Sequence, residues 1–340
     1  MNATEKVTVI KETKNKIRVE FERTSAWERF KIKYLSLNFL ALTVFKIFRL
    51  VLLLGVSYVI LFPFVSKIAS SFMSPSDFVD STVKLIPKTP TLNTYKQIII
   101  ENQYFKAMFN TALLSLICGV LQTFVCCVIG YGFGKYNFKG SKLMFALVLF
   151  TMIVPHQTLK LSMFMKFKYF DIYGLLGLLG MSGGIDLTNT YWPLAILSAT
   201  GLAFKNGLYV YMMRQFFRGV PDSLEESAYI DGSGTFRTFI QIILPLSIPM
   251  MITVFLFAFS WQWTDSFYAR LFFTSKSSLL LNKIITVPRT LDTQYAGGSL
   301  FAAAIRNTAG LLIIAPMIVI YLFCQRYLIQ GIERSGITGE

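Results

Sequence analysis

The sequence predicts an all-α integral membrane protein with six transmembrane helices and an amphipathic interfacial helix ahead of the first. Three observations carry this. Of 340 residues, 54% are hydrophobic and only 15% charged, and the mean hydropathy is +0.54, outside the balance of a soluble domain. Apolar runs recur at the roughly 20 residues that a helix needs to cross hydrocarbon with its own backbone groups satisfied. Most lysines and arginines flank those runs, with Lys160 and Lys205 inside two of them.

Residues 1–46 are read as a basic cytoplasmic extension. Its first two dozen residues hold short alternating patches, VTV and IRVEF, that support no firm fold. At Ser25 the pattern changes: Ser25 and Glu28 form a capping box, and Trp27, Phe30, Tyr34, Leu37 and Ala41 recur at helical spacing. That describes a helix lying on membrane lipids or a solvated helix packed on the spans; both readings stay open. The first apolar run begins after more than forty charged and mixed residues, so the first span is expected to be retained as an anchor.

The spans are Leu50 to Phe64 extended by Ile47 and Phe48, Phe109 to Phe133, Leu143 to Leu161, Tyr191 to Met213, Leu246 to Phe267 and Leu300 to Phe323. The third contains Pro155 and His156, the fourth Lys205 and Asn206. Together they delimit a transmembrane domain at 47–324, followed by a cytoplasmic tail at 325–340. The lysine-rich N-terminal region and the loop Lys135 to Lys142, with three lysines and no acid, lie inside by the positive-inside bias. Six spans then put both termini in the cytoplasm, together with the loop from Arg214 to Pro245. Ser74 to Gln103, rich in Pro and turn formers, is an outside loop with a short helix near its end. Gly174 to Thr190, with GLLGLLGMSGG, is a second outside segment.

Several chemistries are excluded. GYGFGK at Gly130 to Lys135 fails as a phosphate loop, because Ile129 stands where the first Gly is needed and Tyr136 follows the lysine. Gly232-Ser233-Gly234 lacks the third glycine and preceding strand of a dinucleotide site. No cofactor site is expected in this chain. His156 is the only histidine and reads as a kink residue bonded to a freed carbonyl. Cys118, Cys126, Cys127 and Cys324 lie in spans without metal spacing, so no metal site is expected. No nucleophile or acid has a base and an orienting group beside it, so no catalytic residue is assigned. The net charge of +15 flanks the spans instead of forming one basic surface, which favours inner-leaflet phospholipid over nucleic acid.

Between the fourth and fifth spans the composition changes character. Asp222 or Ser223 can cap a short helix whose first turn carries Glu225 and Glu226, and Asp231-Gly232-Ser233-Gly234 should stop it. Thr235 can cap a second helix through Phe236, Phe239 and Ile242 into Leu244-Pro245. The product is a hairpin of two helices with small residues, Ser227, Ala228 and Gly232, at its tip, suited to close approach by another surface.

Glu226-Ser227-Ala228, three residues, Gly232, nine residues, Ile242, one residue, Leu244-Pro245 resembles the signature of inner-membrane permease subunits of importing ABC transporters, with Ser227 in place of an alanine. RQFFRGVPDSLEESAYIDG, YGFGKYNFKGSKL, TMIVPHQTL and QRYLIQGIERSGITG are similar to the carbohydrate-uptake branch, the maltose and multiple-sugar type, over about Leu50 to Gly339. His156, the N-terminal extension and the closing GITGE depart from that pattern. The resemblance implies a type I importer permease that spans the bacterial cytoplasmic membrane and pairs with a second, homologous permease. It also implies two ATPase subunits that hold MgATP, and an extracytoplasmic sugar-binding protein. It makes the hairpin (about 214–245) the coupling element, with Glu225, Glu226, Ser227, Ala228, Tyr229, Asp231, Gly232 and Pro245 at the ATPase.

Sugars offer hydroxyls and apolar ring faces, so their path needs polar partners and aromatic platforms. Span five ends in Trp261, Gln262, Trp263, Thr264 and Asp265, and span four carries Asn206; these form the candidate sugar path. The tryptophans serve equally well as interfacial anchors. Rival readings are a permease for amino acids or peptides, a self-sufficient channel or ion-coupled carrier, and a membrane-bound enzyme.

Overall fold

The computed structural model describes residues 9–12, 18–21, 27, 37–171, 174, 184–203, 205–274 and 279–336. They divide into two compact units, Met1–Ser66 and Lys67–Glu340. In the first, the alternating patches pair: β1 (Val9–Glu12) runs antiparallel to β2 (Arg18–Phe21), with Val9 opposite Phe21 and Glu12 opposite Arg18. The all-α expectation therefore carries one hairpin, where period-two alternation outweighs the charges between. Helix α1 (Leu37–Ser71) contains the first span and is longer than the apolar run at both ends. The interfacial helix expected from Ser25 lies, apart from Trp27 and the residues from Leu37 onward, outside the described residues.

The second unit begins with the last turn of α1, followed by a loop organised by Asp77, whose buried carboxylate accepts from the Ser74 and Thr89 backbone N–H groups at 3.2 and 3.4 Å. α2 (Asn93–Glu101) is the short helix expected there. Its last residue, Glu101, accepts hydrogen bonds from the Arg289 N–H and the Thr290 hydroxyl, joining two segments far apart in sequence. α3 (Tyr104–Lys135) is the second span, unbroken and with a buried face of small and polar residues from Thr111 to Gly130.

The third span is two helices rather than one crossing. α4 (Ser141–Ile153) meets the segment His156–Lys168, which includes α5 (Lys160–Lys168), at 89°. Pro155 has no N–H for the preceding turn and holds Val154 extended at ψ 120°, so the helix breaks there. The fourth span is also divided, into α6 (Trp192–Ala199) and α7 (Asn206–Gly219). Gly201 at φ +75° lets the Leu202 N–H reach back to the Leu197 carbonyl and close α6, and Lys205 at φ +74° re-enters α7. The apolar run from Tyr191 to Met213 hides this break, because hydropathy does not register a backbone turn.

α8 (Ser223–Ile230) and α9 (Thr235–Thr238) form the hairpin, and a π turn at Phe239–Ile243 leads into α10 (Leu244–Trp263), the fifth span. α11 (Phe267–Phe272) follows, and α12 (Gly298–Gly336) carries the sixth span onward into the expected tail. Among the described residues, four helices are long and apolar enough to cross a membrane alone, and the bent pair makes up to five; those of the fourth expected span do not form such a helix.

α3 is the axis of the unit, packed against α7 on one side and α10 on another. Its approach to α7 is set by Gly130 and Gly134, four residues apart on one face. A Cβ at Gly130 would lie 2.5 Å from the Met213 Cβ, and one at Gly134 would lie 2.9 Å from the Phe217 Cβ. This is small-residue helix packing, in which backbones approach closely because no side chain separates them. Tyr209, Met213, Phe217, Ile243 and Val254 fill the core around this contact.

Gly130→Leu should therefore destabilise the solubilised protein by about 1–3 kcal/mol, the usual range for overpacking. Gly132→Leu, where a Cβ would meet nothing within 4 Å, should leave thermal unfolding almost unchanged. Equal unfolding temperatures for the two variants would refute the close approach.

Candidate functional site

The hairpin is tied to the end of α3. The side chain of Lys135, the final residue of α3, is almost fully buried, and its Nζ donates to the Val220 carbonyl and to Asp222 Oδ1, both at 2.6 Å. Val220 follows the last residue of α7, where carbonyls lack helical partners and carry the negative end of the helix dipole, so a cation fits there. Asp222 precedes α8, but its carboxylate serves Lys135 and makes no capping bond to the helix, a change from the expected N-cap role. A single ammonium thus joins the end of α3, the end of α7 and the start of α8.

One turn earlier on α3, the Tyr131 hydroxyl donates to Glu225 Oε1 at 3.0 Å and lies 3.3 Å from the Tyr136 hydroxyl. The Tyr131 ring packs against Phe217 and Phe239, with centroids 5.4 and 4.7 Å apart. Glu225 is buried and reaches inward to α3, whereas Glu226 is exposed. Ala228, expected at the tip, also faces inward.

The turn forms as expected. Gly232 at φ +78° lets its own N–H bond to the Tyr229 carbonyl and the Ser233 N–H bond to the Ala228 carbonyl, closing α8. Gly234, not Thr235, precedes α9, with Thr235 as its first residue, and no side chain caps it. Ser227, Tyr229, Asp231, Gly232 and Pro245 are exposed, and a Cβ at Gly232 would meet nothing within 4 Å. The hairpin also presents Ile230 and Phe236, 86% and 79% exposed. These two large apolar side chains stand out from an otherwise polar elbow.

The candidate sugar path separates into two groups. Trp261, Gln262 and Asp265 line one narrow cleft of about 20 Å³, with Gln122 of α3 and Tyr268 of α11. Lys205 places its Nζ 4.6 Å from the centre of the half-exposed Trp261 ring, a cation–π contact. Tyr268 carries its hydroxyl 2.8 Å from His156 Nδ1, so the His156 ring is engaged by a hydroxyl at this wall. Asp265 accepts from the N–H groups of Phe267, Tyr268 and Ala269 at 3.1, 3.3 and 2.8 Å, capping α11.

Trp263, Thr264 and Asn206 sit elsewhere. Trp263 is buried, with its Nε1 donating to the Ile313 carbonyl of α12 at 3.0 Å, and Thr264 bonds back to the Ser260 carbonyl. Asn206 is buried at the start of α7, and neither atom of its amide has a hydrogen-bond partner among the described residues. Tyr131 and Lys135 escaped notice in the sequence, since their partners lie about ninety residues away. Their signal is the run GYGFG, whose outer glycines, Gly130 and Gly134, mark a close helix contact. Among the described residues no three metal-ligating side chains converge.

A family model described as "Binding-protein-dependent transport system inner membrane component" matches residues 127–334, which hold the hairpin, the clamp and the cleft-lining end of α10. The chain is 27% identical to protein LplC of Bacillus subtilis, across 87% of this chain and 95% of that one. It is 29% identical to the galactooligosaccharides transport system permease protein GanQ of Bacillus subtilis, across 86% and 95%. It is 28% identical to the maltodextrin transport system permease protein MalD of Streptococcus pneumoniae, across 84% and 93%. In fold it matches a chain of a bacterial ABC transporter involved in import of the acidic polysaccharide alginate, with a TM-score of 0.63 at 19% identity, covering 84% of this chain and 96% of that one.

The clamp is testable by amide exchange. Tyr131→Phe leaves a buried carboxylate without its donor, a loss of about 1–3 kcal/mol, so exchange across Ser223–Ile230 should rise about tenfold to a hundredfold. Glu225→Gln keeps an acceptor for Tyr131 and should change exchange less. Unaltered protection in Tyr131→Phe would show that α8 is not held from α3.

Proposed function

Because the chain belongs to the family of inner membrane components of binding-protein-dependent transport systems, we propose that it is the permease subunit of an ATP-driven importer of sugars or oligosaccharides. Relatives named for galactooligosaccharide and maltodextrin transport support the sugar class. In this reading the chain forms half of a translocation pathway and pairs with a second, homologous permease. Two cytoplasmic ATPase subunits and an extracytoplasmic sugar-binding protein complete the machine. Both termini and the hairpin face the cytoplasm, and MgATP is bound and hydrolysed in the ATPase subunits, so this chain is not an enzyme.

The observation that carries the proposal is the clamped hairpin with an exposed apolar tip. Coupling needs an element stiff enough to move as one body and bare enough to dock. Lys135 and Tyr131 supply the stiffness; Ile230, Phe236 and Gly232 supply the docking face. The same two spans reach the cleft: α3 ends at the clamp and carries Gln122, while α10 starts beside the hairpin and ends at Trp261 and Gln262. A displacement of the hairpin therefore bears on the walls that a sugar would touch. Trp261 offers an aromatic platform and Gln262 and Gln122 offer amides, the two kinds of group that sugar rings and hydroxyls require.

The test is uptake and ATP hydrolysis by the assembled transporter in proteoliposomes. Gly232→Trp fills the open side of the turn and disfavours φ +78°. Uptake should fall on the order of tenfold or more, the factor set by about 1.4 kcal/mol of lost docking free energy, while the chain still inserts and the ATPase retains basal hydrolysis. Normal coupled uptake by this variant would refute the docking role of the hairpin. Transport of peptides but not oligosaccharides by the wild type would refute the substrate class.

A further inference from the structure

A second cleft lies beside the clamp, on the face that the positive-inside bias assigns to the cytoplasm, and the coupling role leaves it unexplained. It offers about 290 Å³ between the end of α3, the loop after it, the start of α4 and α7, near the lower end of the size range of small-ligand pockets. Lys142, Arg214 and Arg218 line it together with Asn137, Ser141 and Phe145, and no carboxylate does. Among the described residues, no acidic oxygen lies within 4.0 Å of any of the three cations, whereas neighbouring Lys135 has Asp222 at 2.6 Å.

The cations are arranged, not scattered. Arg214 and Arg218 sit one turn apart on α7, where like charges repel unless an anion lies between them. Arg214 is oriented by its Nε bond to the Phe133 carbonyl and its Nη1 bond to Gln215 Oε1, both at 3.3 Å, and by stacking 4.0 Å from the centre of the Phe145 ring. Lys142 and the Ser141 hydroxyl open α4, whose N-cap is Gly140 at φ +86° with no capping side chain, so its first-turn N–H groups add to the positive field. On the outer side Phe138, Leu143, Met144 and Leu147 are exposed, an apolar flank next to the charged cleft.

We propose that this cleft binds a phosphate ester, held by Arg214 and Arg218 of α7 and Lys142 at the start of α4. Guanidinium groups match phosphate oxygens in pairs, and three cations suit a tetrahedral anion better than a two-oxygen carboxylate. The source is either the headgroup of an anionic phospholipid, its chains along the apolar flank, or a soluble phosphate ester.

The test uses the full-length chain in detergent, titrated with phosphatidylglycerol or phosphatidylcholine and read by native mass spectrometry. The double variant Lys142→Gln, Arg218→Gln removes two exposed charges and spares the packed Arg214. The wild type should bind phosphatidylglycerol saturably and the variant about thirtyfold more weakly, given about 1 kcal/mol per removed cation. Phosphatidylcholine should not distinguish them, and Lys142→Arg alone, which keeps the charge and both guanidinium groups of α7, should bind phosphatidylglycerol like the wild type. Glycerol 3-phosphate that displaces the lipid at similar concentration assigns the cleft to a soluble ester; failure to displace it assigns the cleft to lipid. Equal phosphatidylglycerol affinity in the wild type and the charge-removed variant overturns the proposal. Should the double variant not fold, Arg218→Gln alone is read the same way.

Discussion

The close approach of α3 to α7 at Gly130 and Gly134 is the constraint on which the rest depends. Helices in lipid gain nothing from leaving water, so they associate through backbone proximity and the bonds that proximity allows. Here the glycine face lets α7 lie against α3, and that alignment sets Tyr131 and Lys135, the residues next to each glycine, at the base of the hairpin. The same contact brings Arg214 beside Phe133 and Phe145. A single methyl group at Gly130 would be driven into Met213 and would disturb the clamp, the cleft beside it and the core together.

A buried ammonium is costly, and Lys135 shows the conditions under which it is tolerated. Its charge is met by a carbonyl at a helix C-terminus and by Asp222, which remains mostly exposed to solvent. The carboxylate is therefore desolvated little, and screening keeps the ion pair itself weak. What the bond supplies is position. It adds the start of α8 to the α3–α7 contact and makes the three chain ends one joint, with Tyr131 and Glu225 as a second fixed point 3.0 Å apart.

What the sequence made legible follows physical range. Apolar length located the first, second, fifth and sixth spans, and Asp231-Gly232 located the end of α8, because both signals are local. Pro155 was seen, but composition does not say whether a proline bends a helix slightly or by 89°. The break between α6 and α7 depends on left-handed backbone at Gly201 and Lys205 inside an apolar run, and a lysine at that conformation has no sequence signature. The Trp261 to Asp265 cluster was recognised as polar and deep, yet its members point different ways. Residues 261 and 263 are two apart on a helix of 3.6 residues per turn, so one indole meets the cleft and the other meets α12. Tyr131 and Lys135 were invisible because their partners are contacts of the folded chain, not of the sequence neighbourhood.

Stiffness around the hairpin is unevenly distributed, and that bears on how motion reaches the cleft. On the side of α10 the connection runs through a π turn at Phe239–Ile243 and then Pro245 and Pro249, all places where regular helical bonds are widened or missing. Such a segment bends more readily than a regular helix. On the side of α3 the hairpin is held by Lys135 and Tyr131 to a helix of 32 residues without a proline. The firm connection is thus the noncovalent one, across space, and the covalent continuation into α10 is the compliant one. In the proposed coupling role, a push on the tip would load α3 first, the helix that carries Gln122 into the cleft, while the π turn would let α10 keep its own packing against α12 through Trp263 and Ile313.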